Sequence, residues 1–442
     1  MAMLSTRHLP ARADVLIIGG GIIGCAAALF LARAGLAVVL CEKGRIGAEQ
    51  SGRNWGWIRR IGRHGAELPL ARRALQLWPR LQAEGLNMGY AQTGLAYLCK
   101  DESEQQARRA WLKTHGEAAG DDIRMLSAAQ AKELLPAAQG RFAGALFAPR
   151  DGRAEPLMAT RALATAARAQ GAVIMENCAV RDIELQAGRV HGLMTEKGSV
   201  RGRKVILAGG IWSRLLCDRL RLRLPQLGVV NSVHYTAPLM GGPSIVAGGG
   251  EYAFRPTRDG GYAVAHWRIS QTLLTAQHIR FARQFLPALA SGWRDLPPRL
   301  ASPAQPWAAR AGWKAGKPTP FERARVLDPS PSRRILKAAM MALERDFPVF
   351  RQARIVGAQA GIIDVLPDVL PVISEVEDIP GLILATGFSG HGFGIGPAAG
   401  EAIARLAQGL KADVDLSAFS LSRFSSPGKG RAGHSRQRPL ML

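Results

Sequence analysis

A chain of 442 residues, 47% of them hydrophobic, is too long for one simple core and suits two domains. No run reaches the roughly 18–20 apolar residues of a membrane span, and the stretch before Ala13 lacks the apolar segment and small-residue cleavage site of a secretory signal, so a cytoplasmic protein is expected. The net charge of +24 rests on 47 arginines and 11 lysines spread along the chain; this reads as an arginine-rich solvated surface without the dense basic-aromatic stripe of a nucleic-acid face, and it leaves peripheral attraction to an anionic inner-membrane face open.

In chain order, Asp14 to Ile18 reads as an apolar strand entering Gly19-Gly20-Gly21. A small-residue helix follows over Ile22 to Arg33, closed by Gly35 at C′, and a second strand, Ala37 to Cys41, stops at Glu42. Helical spacing recurs over Gly65 to Leu86, over Leu126 to Leu135 with Ser127 as N-cap, and over Pro156 to Gln170. Ala172 to Met175, Val190 to Met194 and Lys204 to Leu207 read as strands. From Val229 to Ile269 short alternating runs are broken by Gly and Pro, and Asp259-Gly260-Gly261 gives a hairpin signal, so an antiparallel sheet is predicted there. Thr275 to Leu289 and Ile335 to Asp346 read as helices, Leu382 to Ala385 as a buried strand, and Pro397 to Ala407 as a last helix with Pro397 at its first position.

The expected fold is α/β: a discontinuous Rossmann-like dinucleotide-binding domain over 12–88, 150–226 and 356–424, with an antiparallel-sheet substrate domain inserted over 89–149 and 227–355. The Gly/Ser/Arg/Lys-rich tail 425–442 reads as disordered.

The first motif with chemistry is Gly19-x-Gly21-x-x-Gly24, placed between a strand and a helix. The first glycine permits the tight turn, the second lets a pyrophosphate approach the backbone, and the third lets helix and strand pack closely. The diphosphate then meets the helix N-terminus, and Glu42, 18 residues after Gly24, accepts from ribose hydroxyls. Of the five cysteines (Cys25, Cys41, Cys99, Cys178, Cys217) none has Cys-x-x-Cys spacing, so neither a zinc site nor a redox motif is expected.

Together with its flanks, Ile17 to Gly24, this glycine motif is joined by four others along the chain: Ser51-Gly52-Arg53-Asn54, Leu207 to Ser213, Pro367-Asp368-Val369-Leu370-Pro371-Val372-Ile373 and Gly387 to Gly394. With these the chain, from about Ala13 to Phe424, resembles the family of FAD-dependent D-amino acid and glycine/sarcosine oxidases and dehydrogenases. The resemblance implies FAD, with Gly19, Gly21, Gly24, Glu42 and Lys43 around the ADP half. It puts Ser51, Gly52 and Asn54 along the pyrophosphate, Val180 at adenine, and Ala208, Gly209 and Trp212 along the cleft. Gly390, Gly392, Phe393, Gly394 and Ile395 would approach the flavin pyrimidine, backed by a helix N-terminus at Pro397. Some relatives hold the flavin through a C-terminal cysteine; none follows Cys217 here, so FAD is expected to be non-covalent. The implied reaction oxidises the C–N bond of an amino acid or secondary amine to an imine, with oxygen or a quinone as electron acceptor. Alternatives are a flavin-dependent tRNA-modifying enzyme, the catalytic subunit of a hetero-oligomeric opine or amine oxidase, and a non-enzymatic flavoprotein subunit.

For the substrate, family members place an arginine just before Pro-Asp-x-x-Pro; here Asp364 stands there, to bind a substrate cation or to pair with a neighbouring arginine. Arg255 is the expected carboxylate ligand, and His391 either touches substrate or flavin or is packed against backbone. Trp55 and Trp57 are aromatic walls or core, His64 is an exposed histidine, and Trp293, Trp307 and Trp313 are core or interface residues.

Overall fold

A computed structural model describes residues 8–292, 295–300, 312–314 and 317–424. The basic tail, Trp293 and Trp307 lie outside the described residues.

Alternation along Val15–Ile18 decides the layering. Val15 and Ile17 face one hydrophobic core, Leu16 and Ile18 the other, and all four are buried. The neighbouring strand Val38–Cys41 divides in the same way. A strand buried on both faces needs cover on both. Helices Ile22–Arg33, Leu68–Ala83, Pro156–Ala169 and Gly392–Ala407 supply one layer, while an antiparallel sheet of Val180–Gln186, Arg189–Thr195 and Gly198–Arg201 packs on the other side. The central sheet runs in the order Val372–Glu375, Leu382–Thr386, Lys204–Leu207, Val15–Ile18, Val38–Cys41, Val173–Met175, parallel except at its first strand. The chain leaves Val15–Ile18 in one direction and later returns on the other side of it. That reversal opens a crevice at the strand's C-terminal end, where ligands bind in such sheets.

The second sheet is larger than the sequence suggests. Among the described residues it has ten strands, including Leu95–Cys99, Gly144–Ala148, Leu227–Thr236, Tyr252–Pro256 and Tyr262–Ala265. The predicted hairpin is present, with Gly260 at φ +84° in its turn. The strand Ile355–Val365, expected with the nucleotide domain, instead pairs antiparallel with Leu227–Thr236 along its whole length. It therefore carries Asp364 from the second sheet into the crevice. Helix Glu102–Ala119 was not foreseen, and Leu126 to Leu135 divides into strand Arg124–Ser127 and helix Ala128–Leu134, with Ser127 and Gln130 forming a capping box. Val190 to Met194 belongs to the three-stranded antiparallel sheet rather than the central one.

Candidate active site

The crevice is lined at one end by Gly19, Gly20, Gly21, Glu42, Val180, Ala208, Gly209 and Trp212. Here the glycines are required by contact. A Cβ on Gly19, which sits at φ +109°, would lie 2.4 Å from the Ala208 carbonyl oxygen, and one on Gly24 would lie 2.1 Å from that of Gly19. Gly24 does not line the crevice; it sets the helix against the turn, as Gly52 does through close approach to the Gly47 carbonyl. Both Glu42 carboxylate oxygens accept backbone N–H groups, from Gly20 and Gly44 at 2.7 Å each. Burial raises the Glu42 pKa while Lys43 and the two N–H donors oppose the rise. The first turn of helix Ile22–Arg33 holds no acidic residue; Ser51 Oγ accepts from Ile22 N at 2.9 Å. An N-terminus of this kind, beside a backbone surface without side chains, fits the pyrophosphate and ribose of an adenine dinucleotide. Lys43 is engaged otherwise: its ammonium donates to Glu49 and to the Arg325 carbonyl at 2.7 Å and lies 4.3 Å from the centre of the Trp212 ring. Asn54 is turned into its own loop, accepting from Gly56 N and donating to the Ser51 carbonyl.

The other end is closed by the glycine turn. Gly390, His391, Gly392, Phe393 and Gly394 line it; Ile395 does not, being fully buried in the helical core. The helix behind this turn begins at Gly392, not at Pro397. Pro397 is interior, and the helix fits because Gly396 and Gly400 allow close contact with Ile22 and Ala26 of the first helix. Its N-terminus is thus delivered to the crevice by the glycines themselves. Trp78 Nε1 ties the turn down at the Gly394 carbonyl, 2.8 Å away.

His391 lines the crevice, and its Nδ1 lies 3.3 Å from Glu67 Oε2. Glu67 and the partner it shares with His391, Arg63, were not singled out in the sequence. Arg63 Nη1 is 3.3 Å from Glu67 Oε1, and Arg63 Nη2 donates to the His391 carbonyl at 3.2 Å. Burial opposes the Glu67 charge, yet His391 and Arg63 together hold its carboxyl down at about 2. His64 is exposed and accepts from Ala66 N, capping the turn that carries Glu67.

Asp364 lines the crevice and is 2% exposed. No arginine pairs with it among the described residues. Gly387 N donates to its Oδ2 at 2.8 Å and Gln226 Nε2 at 3.0 Å. Burial pushes its carboxyl up to about 6 against these donors. Because the folded value lies above the ordinary one, Asp364 favours the fold below about pH 4, and that contribution is lost as the pH rises through about 6. Asp364→Asn keeps an acceptor for both donors and removes the charge. The FAD-free variant is expected to be more stable than the parent at pH 8, by up to about 3 kcal/mol, with the gain largely gone at pH 4.5. Urea melts at the two pH values measure this; equal gains at both would show that charge is not the cause.

Arg255 is not where the sequence reading put it. It is fully buried and outside the crevice lining, and its two terminal nitrogens donate to the two oxygens of Glu155 at 2.8 Å while Nε donates to the Trp55 carbonyl at 2.6 Å. Its fork is filled, and it fixes the Trp55-Gly56 backbone. Gly56, at φ +75°, is needed because a Cβ there would lie 2.6 Å from Arg255 Nε. Two guanidinium groups line the crevice at this end: Arg63, which is paired with Glu67, and Arg59, whose Nη1 donates to the Ile61 carbonyl at 2.7 Å and with which no carboxylate pairs among the described residues. Around it stand four aromatic rings that also line the crevice: Trp55, Trp57, Tyr97 and Trp267. Trp57 and Trp267 have centroids 5.7 Å apart, Tyr97 and Trp267 4.9 Å. Trp55 and Trp57 are therefore walls, and Trp55 is oriented by Nε1 donating to Asn231 at 2.8 Å. Trp313 packs edge-on against Phe321, away from this end.

Residues 14–406 match the FAD dependent oxidoreductase family. Over 95% of both chains the fold is that of L-amino acid deaminase from Proteus myxofaciens, solved in complex with anthranilate, with a TM-score of 0.88 and 33% identity. The glycine oxidase of Geobacillus kaustophilus is 28% identical over 93% of this chain and 97% of its own. The mitochondrial sarcosine dehydrogenase of Homo sapiens is 29% identical over 53% of this chain, and the match spans only 27% of that protein. Among the described residues no helix is long and apolar enough to cross a membrane. The crevice with its glycine cradle, the opposing glycine turn and the match along nearly the whole sheet system agree: the chain belongs to the FAD dependent oxidoreductase family, and its cofactor is FAD.

Proposed function

We propose that this enzyme oxidises the C–N bond of an α-amino acid bearing a bulky apolar or aromatic side chain. The observation that carries this reading is Arg59 without a carboxylate partner, set among Trp55, Trp57, Tyr97 and Trp267 at the glycine-turn end of the crevice. A guanidinium offers a carboxylate a planar fork, and the four rings offer a side chain an apolar enclosure with π faces. The P. myxofaciens deaminase, whose ligand anthranilate is a carboxylate on an aromatic ring, supports the same pairing of groups.

When bound, FAD supplies the hydride acceptor. The chain supplies the rest. Arg59 holds the carboxylate and so fixes which way the α-carbon faces, and the rings exclude water from the reacting carbon. The amine enters neutral. Its carbon gives up a hydride and its nitrogen a proton, and the imine released is hydrolysed to a 2-oxo acid and ammonia. A cysteine link to FAD is not expected, since all five cysteines are buried as free thiols and none follows Cys217.

The test is anaerobic loss of flavin absorbance with a panel of L- and D-phenylalanine, L-leucine, glycine, sarcosine and matching 2-hydroxy acids. Reduction by the bulky amino acids, with glycine and sarcosine at least tenfold slower, is the expected result. Reduction by 2-hydroxy acids alone would overturn the C–N assignment, and a preference for glycine or sarcosine would overturn the side-chain pocket.

A further inference from the structure

Behind the crevice wall lies a charged group that the proposed reaction does not yet use. Glu67 is fully buried and does not line the crevice, but both of its neighbours, Arg63 and His391, do. Arg63 is bound on three sides: Nε to the Arg59 carbonyl at 2.7 Å, Nη1 to Glu67, and Nη2 to the His391 carbonyl. Trp111 Nε1 fixes the Arg63 carbonyl at 2.9 Å. The glycine turn leans directly on this group, since a Cβ on Gly394 would lie 3.1 Å from Arg63 Nη2 and 3.0 Å from the Trp57 carbonyl. A buried carboxylate is costly unless it is paired, and apolar residues commonly fill such a space at no loss of stability. Retaining the charge here links two walls of one site: the Arg59 segment and the turn at the flavin end.

We propose that Glu67 is a positioning residue. From behind the wall it holds the His391 imidazole through Nδ1 and the Arg63 guanidinium through Nη1, so that the glycine turn and the Arg59 segment keep one fixed separation. The inference rests on the functional reading above, because it takes the glycine turn as the flavin end. Chemically, a carboxylate facing Nδ1 is an acceptor for an Nδ1–H and selects the ring orientation that supplies one. Its negative charge also balances Arg63, so the reduced flavin meets less net positive charge than Arg63 alone would give.

The experiment uses the FAD-loaded enzyme and the best amino acid of the panel. Glu67→Gln keeps the shape and removes the charge. Its kcat is expected to fall at least tenfold with KM within threefold and with FAD occupancy unchanged. On a His391→Asn background the same substitution should add less than a twofold loss, because the two act as a unit. The midpoint potential of the bound flavin, measured by dye equilibration, should rise, since an uncompensated Arg63 favours electron uptake; a role in packing alone would not move it. Should Glu67→Gln not fold, Glu67→Asp, which retains the charge but withdraws it from both partners, should show the same kcat loss with little change in potential. An unchanged kcat in a folded variant, multiplicative losses in the double variant, or an unmoved potential in Glu67→Gln would each overturn the proposal. Wild-type enzyme that takes up no flavin would instead overturn the reading on which it rests.

Discussion

Gly24→Ala is expected to abolish FAD binding and to destabilise the fold by about 3 kcal/mol or more, the upper end for forced overpacking. The added methyl would sit 2.1 Å from the Gly19 carbonyl oxygen and 3.3 Å from Ile17 Cγ2. Neither neighbour can give way: Gly19 N is bound to the Cys41 carbonyl at 2.9 Å, and Ile17 is fully buried in the central strand. The helix must therefore lift off the turn, and the N–H groups of its first turn leave the position the pyrophosphate needs. Gly35→Ala is the matched control. Gly35 has φ +80° but nothing within 4 Å of an added Cβ, so that variant carries only left-handed backbone strain, about 1–2 kcal/mol. Its FAD affinity should equal the parent's. Flavin titration of the two apoproteins by fluorescence quenching, with urea melts alongside, separates the cases; equal affinities would mean that the glycine cradle does not carry the nucleotide.

The same contrast explains what the sequence made legible. Gly19, Gly21, Gly24 and Glu42 could be read because each answers a demand of the local backbone, and strand, turn and helix lie within thirty residues of one another. Side-chain partnerships across the chain could not. Arg59 and Arg60 are adjacent, yet Arg60 is 2% exposed and locked to Asp151 and Asp122, while Arg59 faces the crevice. Which of them is free depends on residues more than sixty positions away. Arg255 looked available for the same reason: Glu155, its partner, is 100 residues distant. Pro397 misled in another way. Proline commonly opens a helix, but here packing of Gly396 and Gly400 against the first helix holds a helix that started at Gly392, and proline within it costs one backbone bond. The segment from 356 was placed with the nucleotide-binding domain, yet strand Ile355–Val365 pairs with the second sheet, because local sequence does not reveal a pairing partner more than a hundred residues away.

Arg59→Met should lower kcat/KM for L-phenylalanine about 100-fold, the loss of a charged hydrogen-bonding fork worth roughly 3 kcal/mol, and most of the change should appear in KM. Flavin content should stay at the parent's level, because Gly19–Gly21 and Glu42, where the pyrophosphate and ribose would bind, lie at the far end of the crevice. Arg59→Lys keeps the charge without the fork and should fall between the two. The decisive arm is 2-phenylethylamine, which has the aromatic side chain and the amine but no carboxylate. The parent enzyme should oxidise it poorly, and Arg59→Met should oxidise it no worse than the parent. The ratio of the two substrates then reports the carboxylate contact alone, apart from any general damage to the site. Arg45 also lines the crevice without a carboxylate partner among the described residues, but it stands beside Glu42 at the nucleotide end, so Arg45→Met should leave this ratio unchanged. If Arg59→Met keeps its preference for phenylalanine over phenylethylamine, the carboxylate is held elsewhere, and the aromatic enclosure must orient its substrate without Arg59.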